Sequence, residues 1–214
     1  MDTDSYEEGR GYEAGFKFDL LKDKLSGSVA FYDIVKQNIA AVIDTNIVAG
    51  LLGANVTQRY YTPGVEQTSQ GMEVELFYNP SAALTLSANY AYNYSWISAN
   101  PAQPAQVGLQ ANVHFKHIAN VAAKYTFQNG ALKGWFVGGN GVIRGSQYRY
   151  QGIESGYNPG YAIWGLLAGY SGRWNTHRYR VQLNVDNIFD REYLRTYAQV
   201  GEPAQWALSA GFSF

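Results

Sequence analysis

The chain has 214 residues, no cysteine and a formal net charge of -1. That length suits one all-β domain of ordinary size, and the charge removes any electrostatic case for nucleic acid. Charged residues reach only 15%, against roughly 25% in an ordinary soluble domain, and the missing thiols exclude a disulfide frame or a thiolate metal centre.

The N-terminal "MDTDSYEEGR" is acidic and polar, unlike an export signal. No apolar run approaches the ~18 residues of a membrane helix. What the chain offers instead is alternation. In "RGYEAGFKF" (10–18), Tyr12, Ala14, Phe16 and Phe18 share one side, with Glu13 and Lys17 opposite. Such a period of two is a β-strand with one apolar and one polar face. "DLLKDK" (19–24) reads as a tight turn, and "LSGSVAFYD" (25–33) as the second strand. A long connection follows over about 39–67, with a Pro-Gly loop signal in "RYYTPG" (59–64).

"SQGMEVELFY" (69–78) and "LTLSANYAYNY" (84–94) flank the turn "NPSA" (79–82). A second long loop covers about 96–116. "ANVAAKYTF" (119–127) and "WFVGGNGVIR" (135–144) flank another short turn. A third loop, "GSQYRYQGIESGYNPG" (145–160), precedes "YAIWGLLAGY" (161–170) and the turn "SGRWNTH" (171–177). In "RYRVQLNVD" (178–186), Tyr179, Val181, Leu183 and Val185 oppose Arg178, Arg180, Gln182, Asn184 and Asp186. A fourth loop covers about 187–204, and "QWALSAGFSF" (205–214) is the last strand.

This makes about nine strands, joined alternately by short turns and long loops. Outer-membrane barrels sort their connections this way, and a sandwich has no reason to. Aromatics gather near the stripe ends at Tyr12, Tyr78, Tyr94, Trp135, Tyr170, Tyr179 and Trp206, as rings at a membrane–water boundary do. The strand glycines fit curved barrel strands. The fold expected is all-β: a transmembrane antiparallel up-and-down β-barrel, present in part. Its apolar stripes would face lipid and its polar stripes an aqueous interior. Two rival readings remain open. One is a small autonomous barrel, an enzyme or an adhesin, with a charged core of Glu13, Lys17, Glu73, Glu75, Lys124, Arg144, Arg178 and Arg180. The other is a soluble β-rich binding module that buries its apolar faces.

The residues also carry a family resemblance. "LNVDNIFDREY" (183–193) is similar to the N-x-F-D-x-x-Y strand end of TonB-dependent outer-membrane receptors. "SGSVAFYDIVKQNI" (26–39), "SQGMEVEL" (69–76), "NPGYAIWGLLAGY" (158–170) and the terminal Phe214 resemble further stretches of the same family, in the same order. The set resembles the last third of a ferrichrome-type siderophore receptor. There are departures. In "FKHIAN", His117 fits the family pattern but its proline is missing; Gly201 and Pro203 fit, while Ala204 stands where an arginine is usual.

The resemblance implies ferric-siderophore uptake across the bacterial outer membrane. Residues 1–214 would be the C-terminal part of a 22-stranded barrel, a fragment without the plug domain. Outer-membrane lipid and lipopolysaccharide would surround it, and TonB would be reached only through the plug. Phe214 would engage the barrel-assembly machinery. The chain alone is expected not to transport.

Arg and aromatic residues in the long loops suit an anionic, planar ferric complex. The candidates are Arg59, Tyr60, Tyr61, Trp96, Tyr148, Arg149, Tyr150, Arg195 and Tyr197. The plainer reading makes them girdle or lipopolysaccharide-facing residues. Asp186, Asn187 and Asp190 read as shapers of a strand-to-loop transition rather than as a cation site. His114 and His117 are three apart, so on a strand they face opposite sides and ligate poorly together. Glu73 and Glu75 read as polar wall. No cofactor motif is present, and no nucleophile elbow or ordered triad that would mark an enzyme.

Overall fold

The computed structural model describes residues 6–42, 61–111, 115–151, 154–196 and 199–213. Nine strands form one antiparallel sheet: β1 (Glu8–Leu20), β2 (Leu25–Val42), β3 (Tyr61–Ser81), β4 (Leu84–Ala99), β5 (His117–Thr126), β6 (Trp135–Arg144), β9 (Tyr161–Trp174), β10 (His177–Asp186) and β13 (Gln205–Ser213). Two small hairpins stand off its loop end, β7 (Gln147–Gln151) with β8 (Glu154–Asn158) and β11 (Leu194–Thr196) with β12 (Gln199–Val200). No described helix is long and apolar enough to cross a membrane.

All nine expected strands form, several longer than their alternation indicates. β2 runs on to Val42 and β3 begins at Tyr61, so Tyr61 to Gly64 lie in a strand and not in the loop expected for "RYYTPG". The Pro-Gly signal has a different origin. Pro63 and Gly64 fall where the β2–β3 register shifts, between Ala41↔Thr62 and Ile39↔Val65. Asn38 on the facing strand and Gly64 both have positive φ, 55° and 104°. A bulge accommodates a proline that could not donate to a regular ladder. The β9–β10 turn is likewise shorter than "SGRWNTH" suggests. Trp174 pairs with His177 across two residues, and Asn175 takes φ 55°.

Directly opposed residues of an antiparallel pair share a face, so the register joins the individual stripes. One row runs Phe16, Val29, Val74, Tyr90, Ala119, Ile143 and Ala162. Another joins Ala210, Val181, Tyr170 and Trp135. All nine apolar stripes thus make one continuous face. It is open to the surroundings: Leu208 is 75% exposed, Phe16 59% and Leu166 50%. A soluble module would have to bury these side chains, and these three lie open. At ~25 cal/mol per Å² a face this large is stable only in hydrocarbon.

The other face is polar. Its row Lys17, Ser28, Glu75, Asn89 and Asn120 is typical. Charge is divided along it. β1 and β3 contribute Glu13, Asp19, Glu73 and Glu75 beside Lys17, while β5 to β10 contribute Lys124, Arg144, Arg173, Arg178 and Arg180 beside Asp186. Among the described residues none of these charges is paired with another.

Several strand glycines lie directly opposite an aromatic side chain. The pairs are Phe18/Gly27, Tyr32/Gly71, Phe136/Gly169, Trp164/Gly141 and Tyr179/Gly172. In each, a Cβ added at the glycine would run into its partner's side chain. At these positions glycine also has a packing reason: its partner's ring occupies the space that a Cβ would take.

Candidate functional site

The alternation of turns and loops brings the strand ends that the long connections join to one end of the sheet. The loop after β10 is the best defined. Asn187 is only 4% exposed and takes φ 49°. Its Nδ2 donates to Arg191 O at 2.9 Å and to Glu202 O at 3.0 Å, and its Oδ1 accepts from Arg191 N at 3.0 Å. Asp190 Oδ1 accepts from Ala204 N at 2.8 Å. The side chains of "DNIFD" therefore tie the two ends of this loop together, the turn role expected of Asn187 and Asp190. Among the described residues no three potential ligands group around a metal position.

This clamp brings Tyr193 onto Tyr161 at the start of β9, with ring centroids 4.4 Å apart. Phe115 meets Tyr161 edge-on at 6.0 Å. Arg144 lies directly opposite Tyr161 in the register and is held by Ala119 O at 3.2 Å and Asn120 Oδ1 at 3.1 Å. Arg195 and Glu202 form an exposed ion pair at 3.7 Å. Beneath them a hollow of about 220 Å³ is lined by Asp186, Tyr193, Glu202, Gln205 and Asn140, among others. Aromatic faces, a guanidinium and amides at the inner mouth can stack a ring and hold an oxyanion.

The loop candidates are spread out. Arg195 reaches this mouth. Trp96 lies on β4 and not in the following loop, because that strand continues to Ala99; it stacks on Tyr94 at 5.2 Å and bridges Gln110. Tyr148 is 8% exposed and packs against the exposed Tyr157 at 5.4 Å. Arg149 and Tyr150 lie on β7 opposite Gly156 and Ser155. Tyr61 is 58% exposed at the start of β3. Arg59, Tyr60, Tyr197, His114 and Phe214 lie outside the described residues. His117 accepts or donates a 2.8 Å hydrogen bond with Tyr90 Oη. The candidates read from the loops omit Tyr161, Arg144 and Tyr193 as a group. Two of them had a signal, Tyr193 as the last residue of the N-x-F-D-x-x-Y pattern and Tyr161 within the "NPGYAIWGLLAGY" resemblance.

Comparison with known proteins agrees with this architecture. The family model "TonB dependent receptor-like, beta-barrel" matches residues 5–188. The metal-pseudopaline receptor CntO of Pseudomonas aeruginosa is 29% identical over 225 residues, covering 97% of this chain and 28% of that protein. The ferrichrome outer membrane transporter/phage receptor of Escherichia coli K12 is 29% identical over 196 residues, covering 87% of this chain and 23% of that protein. Among solved structures, the ferric preacinetobactin receptor BauA of Acinetobacter baumannii superposes with a TM-score of 0.76 at 20% identity, covering 97% of this chain and 30% of that one. The ferripyoverdine receptor of Pseudomonas aeruginosa gives 0.74 at 21% identity, over 95% and 27%. The chain thus spans less than a third of the length of these relatives. Matched by its family over most of its length and carrying the same sheet, it belongs to the TonB-dependent receptor family of the Gram-negative outer membrane, as part of the β-barrel.

Proposed function

We propose that this chain forms barrel wall and part of the extracellular mouth of a receptor that takes up ferric siderophores, without enzymatic activity of its own. The single observation that carries this reading is the joining of nine apolar stripes into one exposed face, with the strand ends that lead into the long loops together at one end of it. Such a sheet is suited to a bilayer with its mouth on one side. Its relatives are named as receptors for metal-pseudopaline, ferrichrome and ferric pyoverdine.

At the mouth, Arg195, Arg144, Tyr161 and Tyr193 supply the cation and ring surfaces that an anionic, planar ferric complex needs. Tyr61, Tyr148, Arg149 and Tyr150 add contacts from neighbouring elements, with Arg59, Tyr60 and Tyr197 as further candidates; Trp96, opposite Thr68 on the apolar face, serves the outer girdle instead. Lipopolysaccharide meets the outer girdle, the assembly machinery reads the C-terminal segment with Phe214, and TonB couples through a plug domain.

The test is iron-limited growth of a strain lacking its siderophore receptor. The whole receptor carrying this chain is expected to restore growth, and Arg195→Ala within it to weaken ferric-siderophore binding by about tenfold, the loss of one charge-assisted contact. This chain alone is expected not to restore growth. Rescue by the chain alone would refute the reading.

A further inference from the structure

Lys124 on β5 and Arg180 on β10 converge on one ring of the polar face, away from the loop mouth. Lys124 Nζ lies 4.8 Å and Arg180 Cζ 4.5 Å from the centroid of Phe136. The ring is 1% exposed and lies against Gly169, where an added Cβ would collide with Phe136 Cζ. It therefore forms a fixed floor. The site is at the turn end of the wall, since Phe136 is the second residue of β6.

The surroundings add positive charge. Arg173 and Arg178 stand directly opposite each other on the same face, an arrangement that is destabilising for like charges. An open hollow of about 1070 Å³ beside them is lined by Lys133, Arg173, Arg178 and Arg180, with no carboxylate side chain among the described lining residues. Among the described residues neither Lys124 nor Arg180 makes an ion pair. Arg180 donates to the neutral amide oxygen of Gln182. A phenyl face attracts a cation but carries no net charge, so it cannot neutralise two. Low-dielectric walls around a lumen strengthen that field. Two cations held over one ring are a surface that an anion can bridge.

We propose that Lys124 and Arg180, floored by Phe136, form an oxyanion site on the inner wall that takes a carboxylate or phosphate group. Either cation donates charge-assisted hydrogen bonds to such a group. The oxyanion has two possible sources: a free anion in the lumen, or a carboxylate side chain of a polypeptide segment lying there. This assignment is independent of the ligand at the mouth.

The experiment uses the complete outer-membrane protein that carries this chain, purified in detergent, as wild type, Lys124→Met, Lys124→Arg, Arg180→Gln and Lys124→Met/Arg180→Gln. Thermal unfolding is followed as phosphate replaces chloride at constant ionic strength. A free-anion site makes the wild-type Tm rise with phosphate. Lys124→Arg keeps the rise, and the double variant weakens phosphate binding at least about tenfold. An internal carboxylate leaves the wild-type Tm indifferent to phosphate. Lys124→Met and Arg180→Gln then lower it, by a gap that closes as sodium chloride is raised. The proposal is overturned if phosphate has no effect and neutralising either cation leaves Tm unchanged, raises it by relieving repulsion, or lowers it by a gap that salt does not change.

Discussion

Gly169 shows how much of this wall rests on single side chains. Its hydrogen leaves room for Phe136, and an alanine there would also press on Val181 O. Overpacking of this kind costs about 1–3 kcal/mol. Gly169→Ala is therefore expected to lower the unfolding midpoint of the whole receptor in urea. Gly156 in the β7–β8 hairpin, where an added Cβ meets nothing within 4 Å, serves as the control and should tolerate alanine with little change. Asn187 is the corresponding residue of the mouth. Its amide serves both arms of the last loop, and Asn187→Ala would remove both of these part-buried hydrogen bonds, at about 1 kcal/mol each. The expected outcome is faster proteolytic cleavage within residues 187–204 while the strands stay protected.

At the scale of the element, each strand has two solvents. β10 shows it most simply: Leu183 lies in the row Leu208, Leu183, Ala168, and is 38% exposed on the apolar face. An arginine at that position would meet hydrocarbon and cost about 2–4 kcal/mol near mid-membrane. On the facing strand, Ser209 belongs to the polar face, opposite Gln182. Leu183→Arg is expected to reduce the folded, membrane-inserted fraction sharply, and Ser209→Arg to leave it nearly unchanged, measured as heat-modifiable protein in membrane fractions. Equal effects would contradict the assignment of faces. The outer girdle belongs to this scale as well: Tyr90, Tyr92 and His117 cluster beside the stacked Tyr94 and Trp96 on upper β4 and β5, where amphipathic rings anchor a strand at the interface.

For the whole molecule the deciding feature is parity. The sheet order runs from β1 to β13, and the outer edges of these two strands have no partner among the described residues. Nine antiparallel strands leave β1 and β13 running in the same direction. Closing one onto the other would make a parallel pair, against the even, all-antiparallel pattern of bacterial barrels. A second copy joined edge to edge in the same membrane orientation meets the same obstacle. Closing such a sheet takes an odd number of further strands, and unpaired edges are not tolerated in lipid. The small autonomous barrel is the less consistent reading for that reason. Refolded alone in detergent micelles, the chain is expected to give no compact, heat-modifiable band, whereas a whole receptor does.

The sequence by itself determined where the strands are, which side of each is apolar, and that short turns and long loops alternate. These are local properties: a period of two and a turn residue can be read within ten positions, and the nine stripes and the "DNIFD" clamp were legible for that reason. It could not determine which residues oppose which. That depends on register between segments far apart in the chain, and register is fixed by packing across strands. Only the tertiary structure placed Phe136 over Gly169 and beneath Lys124 and Arg180, brought Tyr193 onto Tyr161, and turned the Pro63–Gly64 loop signal into a bulge within a paired strand.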